Sequence, residues 1–344
     1  MKKATAYIYP ANDTDNDFFK SLTAALQANN IHITNRLTDF CQTDIYLLHW
    51  YENVYKHQFP VFIKKCVFLL ALRICRKHII VYLHNIQPHR KYFHEADHTL
   101  SGFLQKMLIR YSSGLVLLSE SSMRYFSPAI RHALTQAEDK IHYIPHPNFA
   151  DLYHPLPKKT TSDTLRLLSF GGIELYKGTE IAIDAMNCIS NDKIELWVIG
   201  NAPKERQTAL KRLSTNPNTH FVFQYIKNED VAEMFSHFDL CVYPLDTSSC
   251  LNSSSVLLSF SLQTSVICPH IATLDDYTPT NYISYTYTSR TEHIHTLSKL
   301  IQKAYTDKQK DATLFVQTGE KCYQEVIEKN SQALITQRIG SIVQ

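Results

Sequence analysis

"LRLLSFGGIELYKGTEIAIDAM", Leu165 to Met186, divides into three parts. Leu165, Leu167, Leu168 and Phe170 make an apolar opening suited to a buried strand. Gly171 and Gly172 break it, and Ile181, Ile183, Ala185 and Met186 then fit the buried face of a helix. Between them sits Lys177, directly before Gly178. A cation beside bare backbone at a helix N-terminus is a place where a phosphate is held. The spacing is not that of G-x-x-x-x-G-K-[ST], which sets aside a Walker-type triphosphatase. Nor is it G-x-G-x-x-G, the usual NAD fingerprint. A plain strand-to-helix turn with a solvated lysine is the other reading these residues allow.

The same alternation runs through most of the chain. "KATAYIYP", "DIYLLHW", "HIIVYLHN", "GLVLLSE" and "KIHYIPHP" are strand candidates in the first half. "LRLLSFGG", "IELWVIG", "THFVFQY", "FDLCVYPL" and "TSVICPH" follow in the second. Helical stretches such as "DFFKSLTAALQANN" and "NEDVAEMFSHF" lie between them. This predicts two parallel sheets, each covered by helices on both faces. A polar segment with two prolines, roughly residues 150–163, reads as the linker between them. The length of 344 residues also favours two domains. In such open sheets ligands bind beyond the carboxyl ends of the strands. That rule selects His49 and Trp50, His84 and Asn85, Ser119 and Glu120, and His146 in the first half. In the second it selects Gly171 and Gly172, Gly200, Tyr225 and the "PLDTSSCLNSSS" loop.

The formal net charge of +3 hides an asymmetry. Residues 1–160 carry 19 Lys+Arg against 12 Asp+Glu, and 12 of the 17 histidines. The remainder is mildly acidic, so an anionic substrate or membrane surface is expected on the first half. The stretch "FPVFIKKCVFLLALRICRKHIIVYL" sets Lys64, Lys65, Arg73, Arg76 and Lys77 among apolar residues, which suits lying on an anionic membrane. A half-buried helix with a solvated basic face is the alternative. No apolar run of 18 residues or signal-like leader is seen, so a cytoplasmic protein is expected. The eight cysteines are scattered without a C-x-x-C pair, which favours a reducing compartment and no zinc site. The histidines show no H-x₃-H or H-E-x-x-H spacing, so no metal is expected. The cations come with no known nucleic-acid module, so nucleic acid is not an expected partner.

In order, "SFGGIELYKGTEIAIDAM", "IELWVIGNAP", "VFQYIKNEDVAEMFSHFDLCVYPL" and "SLQTSVICPHIAT" resemble the nucleotide-binding half of GT-B glycosyltransferases, in particular the family-4-like, group 1 enzymes of bacterial polysaccharide synthesis. "DIYLLHWYE", "IIVYLHNIQPH", "LVLLSESS" and "IHYIPHPNF" look like that family's acceptor-side strand ends. The likeness covers about residues 40–275. It implies two Rossmann-like, doubly wound α/β domains facing a cleft, at 1–155 and 156–320, with 321–344 as a helix crossing back.

Carried across residue by residue, Lys177 resembles the lysine that meets the donor diphosphate and steadies the leaving charge. Gly171 and Gly172 would let the donor approach the backbone, Gly200 matches a small residue near the nucleotide, and Tyr225 matches the segment flanking the base. His84 takes the position of a histidine near the transferred sugar. His49, Trp50, Asn85, His89 and Arg90 would meet sugar and acceptor. The family's paired glutamates are replaced by Cys250 and Leu258, and the arginine of its glycine turn is missing. Ser253, Ser254 and Ser255 instead offer hydroxyls and free N–H groups at an expected helix start.

The resemblance therefore implies transfer of a sugar from a UDP- or GDP-linked donor to a hydroxyl of a lipid-linked or oligosaccharide acceptor. Neither cofactor nor metal is required, and the anomeric configuration is retained. The lost glutamates favour a second class, a non-catalytic GT-B-fold partner of another transferase. An NAD-dependent enzyme would need a glycine fingerprint after the first strand, and "YIYPANDTDND" has none.

Overall fold

The computed structural model describes residues 4–11, 16–89, 95–159 and 163–343. They form two compact units, residues 1–147 with 248–252 and 329–344, and residues 148–247 with 253–328.

In the first unit the order is β1 (Thr5–Tyr9), α1 (Asp17–Ala28), β2 (His32–Thr34), β3 (Ile45–His49), α2 (Phe59–Ile74), β4 (His78–Tyr82), α3 (His98–Tyr111), β5 (Gly114–Leu117), α4 (Pro128–Thr135) and β6 (Ile141–Tyr143). The second continues with α5 (Ala150–Tyr153), β7 (Leu165–Phe170), α6 (Thr179–Asn187), β8 (Ile194–Ile199), α7 (Lys204–Leu213), β9 (Thr219–Val222), α8 (Asn228–Ser236) and β10 (Leu240–Val242). It is completed by α9 (Ser254–Ser261), β11 (Ser265–Pro269), α10 (Ala272–Asp275), β12 (Ile283–Tyr285), α11 (Arg290–Lys310) and α12 (Leu314–Lys329), and the last helix is α13 (Gln332–Val343).

The strand orders are β2-β1-β3-β4-β5-β6 and β12-β11-β10-β7-β8-β9, and every pairing is parallel. Strands such as β3 and β5 are buried along their whole length, because crossover helices cover both faces of a parallel sheet. That is why they read as unbroken apolar runs. The first core joins Ile8, Phe18, Leu47, Ile80 and Val116 with Ile335 and Ile339 of α13. The second joins Leu165, Leu196, Ile183, Met186 and Ile267 with Leu297 and Ile301 of α11.

Two boundaries differ from the sequence reading. The second unit begins at Asn148, ahead of the expected 156, because the connecting segment is strapped to it. Phe149 N–H donates to Ser261 Oγ at 3.0 Å, and Lys158 Nζ donates to the carbonyls of Phe235 (2.9 Å) and Phe238 (3.2 Å). The C-terminal stretch is two helices, with the break at Asn330 and Ser331, and only α13 packs against α1 in the first unit. Asn29 Nδ2 donates to Thr336 O at 2.9 Å and Gln332 Nε2 to Ser21 O at 3.0 Å, which fixes that packing.

Candidate functional site

In the second unit the decisive stretch folds as its residues dictate. β7 ends at Phe170, Gly171 turns with φ 103°, a single 3₁₀ turn spans Leu175–Lys177, and α6 starts at Thr179. The turn doubles back on the end of β8, where Gly200 lies against it. A Cβ on Gly200 would stand 1.9 Å from the Gly171 carbonyl oxygen, so the approach requires glycine. Lys177 then folds over the turn. Its Nζ lies 2.9 Å from the place a Gly171 Cβ would occupy and donates to Ser255 Oγ at 3.0 Å. The missing side chain at Gly171 is what lets the ammonium reach that spot.

Ser255 belongs to the first turn of α9. Ser253 caps that helix by accepting from Val256 N–H, and its own N–H donates to Thr273 Oγ1 at 3.0 Å. Ser253 and Ser255 are buried and Ser254 is exposed. A neutral hydroxyl therefore holds the ammonium against the open N–H groups of a helix start, where the helix dipole adds positive potential. This arrangement suits a diphosphate.

No arginine sits inside the turn, but one braces it from behind. Arg206 on α7 is buried, donates from Nε to Ile173 O at 2.8 Å and grips both Glu180 oxygens at 2.5 and 3.0 Å. A bidentate pair of this kind fixes geometry as well as charge. Gly172 is open to solvent on its Cβ side. Tyr225 is largely exposed and lines a cavity of about 440 Å³ with Ile199, Val222, Ile226, Asp230 and Met234, at the carboxyl ends of β8 and β9.

In the first unit, His49 and His84 end β3 and follow β4. His49 Nδ1 lies 2.9 Å from His84 Nε2, so one N–H is shared between them. Trp50 stacks on His84 at 4.3 Å and 22°, and Tyr82 stacks on His49 at 4.2 Å and 25°. Trp50 holds φ 50°, a left-handed conformation that a bulky residue adopts only under constraint. Phe18 joins the group to His146, with centroids 5.4, 5.2 and 5.1 Å from His49, His84 and His146. Asn16 fixes Phe18 by capping α1, its side chain accepting from Phe18 N–H at 3.0 Å.

Burial drives all three imidazoles toward the neutral form. His84 is held down to about 3, with the nearby His146 adding to the effect, and His146 to about 4. His49 falls well below its ordinary value, again by burial first and then by the His84 charge. His146 Nδ1 faces the Pro147 carbonyl at 2.8 Å and must carry the proton there. At neutral pH the cluster hydrogen-bonds without carrying charge. Among the described residues no group of three or more His, Cys, Asp or Glu is arranged to hold a metal ion.

The loop Ser248–Asn252, expected with the second domain, belongs to the first unit. Ile86 N–H donates to Ser249 O at 3.1 Å, Asn252 Nδ2 donates to His84 O at 3.3 Å, and His89 Nδ1 lies 3.0 Å from Ser249 Oγ. These bonds fix the path of "HNIQPH". Asn85 is buried beside His84, and Arg90 lies outside the described residues. Cys250, at one of the lost glutamate positions, is buried in this loop, while Leu258 sits on α9.

One residue in this unit carries no sequence signal. Glu52 follows β3 and is 1% exposed, and neither carboxyl oxygen has a hydrogen-bond partner. Lys65 on α2 donates to Tyr51 O (2.9 Å) and Asn53 O (2.8 Å), clamping the peptides on either side. Its ammonium also lies 5.1 Å from the Tyr51 ring centroid. Burial pushes Glu52 up to about 7 from 4.5, and pushes Lys65 down to about 8.

A carboxyl whose folded value exceeds its unfolded value binds more protons when folded, so stability falls as pH rises between the two. For Glu52 that window runs from about 4.5 to 7. Urea unfolding of the wild type and Glu52→Gln at pH 5 and pH 8 isolates this titration. The variant is expected to gain about 2–3 kcal/mol on the wild type between those two values. An unchanged difference would mean that the carboxyl is neutral or solvated throughout.

Residues 164–279 match the family described as Glycosyl transferases group 1. That match covers the strands and helices around the Lys177 turn, about a third of the chain, and the fold of the chain is GT-B. The chain is 24% identical over 237 residues to GDP-mannose:glycolipid 4-beta-D-mannosyltransferase of Xanthomonas campestris pv. campestris, with 66% of it covered. The chain spans 61% of that relative's length.

Among solved structures it is similar to Anabaena HepE in complex with UDP and glucose, with TM-score 0.67, 12% identity and 99% of each chain covered. It is also similar to sucrose-phosphate synthase of Thermosynechococcus elongatus, with TM-score 0.69, 13% identity, and 99% and 98% covered. At such identities these structures establish the fold of the chain. The two six-stranded parallel sheets are the architecture expected of it.

Proposed function

We propose that this chain is a glycosyltransferase that moves a sugar from a UDP- or GDP-linked donor to a hydroxyl of a lipid-linked or oligosaccharide acceptor in surface or capsular polysaccharide synthesis, at the cytoplasmic face of a membrane. The observation that carries the reading is Lys177 Nζ held between the bare turn at Gly171 and Ser255 Oγ at the start of α9. The ammonium and helix N–H groups receive the negative charge that builds on the departing diphosphate, a role in which no metal is needed. The cavity at Tyr225 takes the base, and Trp50 and His84 meet the sugar through an aromatic face and a neutral imidazole. The Xanthomonas relative, by its name a glycolipid mannosyltransferase, supports a GDP-linked donor and a lipid-linked acceptor. HepE, solved with UDP and glucose, supports a UDP-linked one.

Retention is the stereochemistry taken over from the family likeness. Inversion is the second reading, and the β in the relative's name supports it, since an α-linked nucleotide sugar yields a β product only by inversion. The one-bond C1–H1 coupling constant of the product, read by NMR, separates the two even for a manno-configured sugar.

Calorimetric titration of the purified chain with UDP, GDP, ADP and CDP tests the reading as a whole. One nucleotide is expected to bind in the micromolar range. Binding of none would overturn it in favour of a GT-B-fold partner without turnover of its own.

A further inference from the structure

α2 carries an apolar face that nothing in its own unit covers. Phe59, Ile63, Val67, Leu70 and Ile74 are between 39% and 79% exposed. At 3.6 residues per turn they fall within a sector of about 80°, so they form one stripe along the helix. Phe62 carries the surface across to α3, its ring 5.9 Å from Phe59 and 5.9 Å from Phe103, which is itself 56% exposed. Scattered exposed apolar residues need no explanation; a continuous stripe marks an interaction surface.

The charge around the stripe identifies its partner. Lys64 and Arg73 are exposed on α2 to either side of the stripe, and Lys106 and Arg110 are exposed on α3. From Asn53 to His89 the chain has six Lys and Arg and no Asp or Glu. A protein partner of ordinary composition gives no reason for so complete an exclusion of acids. An anionic lipid surface does, because it accepts apolar side chains at the acyl boundary and cations at the headgroups together. No described helix is long and apolar enough to cross a membrane, so such a helix lies on the surface.

We infer that the stripe of α2, extended by Phe103 and rimmed by Lys64, Arg73, Lys106 and Arg110, docks this chain onto an anionic bilayer. The inference rests on the proposed lipid-linked acceptor, and it names the surface that brings the first unit to that acceptor.

The test is co-sedimentation of the full chain with vesicles of phosphatidylcholine alone and with about one-third phosphatidylglycerol, without donor or acceptor. The chain is expected to partition onto the anionic vesicles only, and to release as salt shortens the screening length. Val67→Glu/Ile74→Glu, both at exposed positions, is expected to cut partitioning at least about tenfold and leave nucleotide binding unchanged. Arg73→Ala/Lys106→Ala is expected to weaken it and flatten its salt dependence. Equal binding to both vesicle types, or none, overturns the inference. So does a concentration-dependent dimer that Val67→Glu/Ile74→Glu dissociates while vesicle binding is absent. Turnover on a water-soluble acceptor reads the transferase proposal separately, because it does not require docking.

Discussion

Replacing Lys177 by alanine is expected to lower kcat/KM about 10²- to 10³-fold, with a parallel loss of nucleotide-diphosphate affinity and an unchanged far-UV spectrum. The ammonium occupies a slot with three walls: the Gly171 turn, Ser255 Oγ and the start of α9. Water can replace its hydrogen bond to Ser255, so folding loses little. Nothing else described on this turn supplies positive charge, because the Arg206 guanidinium is spent on Ile173 O and Glu180. The developing charge of a departing diphosphate would then meet only helix N–H groups. Ser255→Ala is expected to cost several-fold, since it loosens the lysine without removing it. Gly171→Ala should approach Lys177→Ala in severity, because its Cβ would crowd Nζ at 2.9 Å and strain a backbone at φ 103°. Isothermal titration with the preferred nucleotide, alongside initial rates, checks all three. A Lys177→Ala variant that binds and turns over like the wild type would remove the donor site from this turn.

The fold was legible because its strands advertise themselves. Ten of the twelve described strands fall in apolar runs closed by glycine or a polar residue, and central ones such as β3 and β5 are buried on both faces, as parallel strands under crossover helices must be. β2 and β12 escape that reading because each is a three-residue edge strand too short to show any period; β6 is as short and also at an edge, but Ile144 lengthens its apolar run enough to be read. Lys177 and Ser255 were readable separately, one from a glycine turn and the other from a serine-rich helix start. Their contact across 78 residues follows only from the sheet order, which brings β7 beside β10.

The loop before α9 is different. Its serines and asparagine look like one continuous cap, yet Ser249 and Asn252 bond to the Ile86–His89 region and to His84. No local pattern records that allegiance. Glu52 was hidden for a related reason: in "HWYEN" it looks like the polar exit of a strand. Its burial depends on Lys65, thirteen positions later, closing over the peptides around it. Functional polar groups held by distant partners are where a sequence is silent, while periodicity speaks for the scaffold beneath them.

The largest expected loss of stability lies away from both sites, at the ion pair under the second sheet. Lys308, near the end of α11, places Nζ 2.7 Å from each oxygen of Asp239 and 2.8 Å from Thr164 O, with both charged side chains 2% exposed. Asp239 also accepts from Arg166 N–H at 2.8 Å, so the pair ties α11 to the starts of β7 and β10. Such a pair contributes modest net stability, but removing one partner leaves a charge buried and unmatched.

Lys308→Ala is therefore expected to destabilise the second unit by about 3–5 kcal/mol. Lys308→Met/Asp239→Asn should recover most of it, since the amide oxygen still serves Arg166 N–H and no charge is stranded. Trp197 lies on β8 in the same sheet, and Trp50 is the other tryptophan in the chain. Fluorescence-detected urea unfolding in a Trp50→Phe background thus reports on this unit alone. If Lys308→Ala cost less than about 1 kcal/mol, Asp239 would have to be reached by water, and the pair would be a surface contact. If the double variant were as unstable as the single one, the loss would come from packing of the lysine stem rather than from stranded charge. The expected recovery separates those causes, because only electrostatic stranding is cured by neutralising the partner.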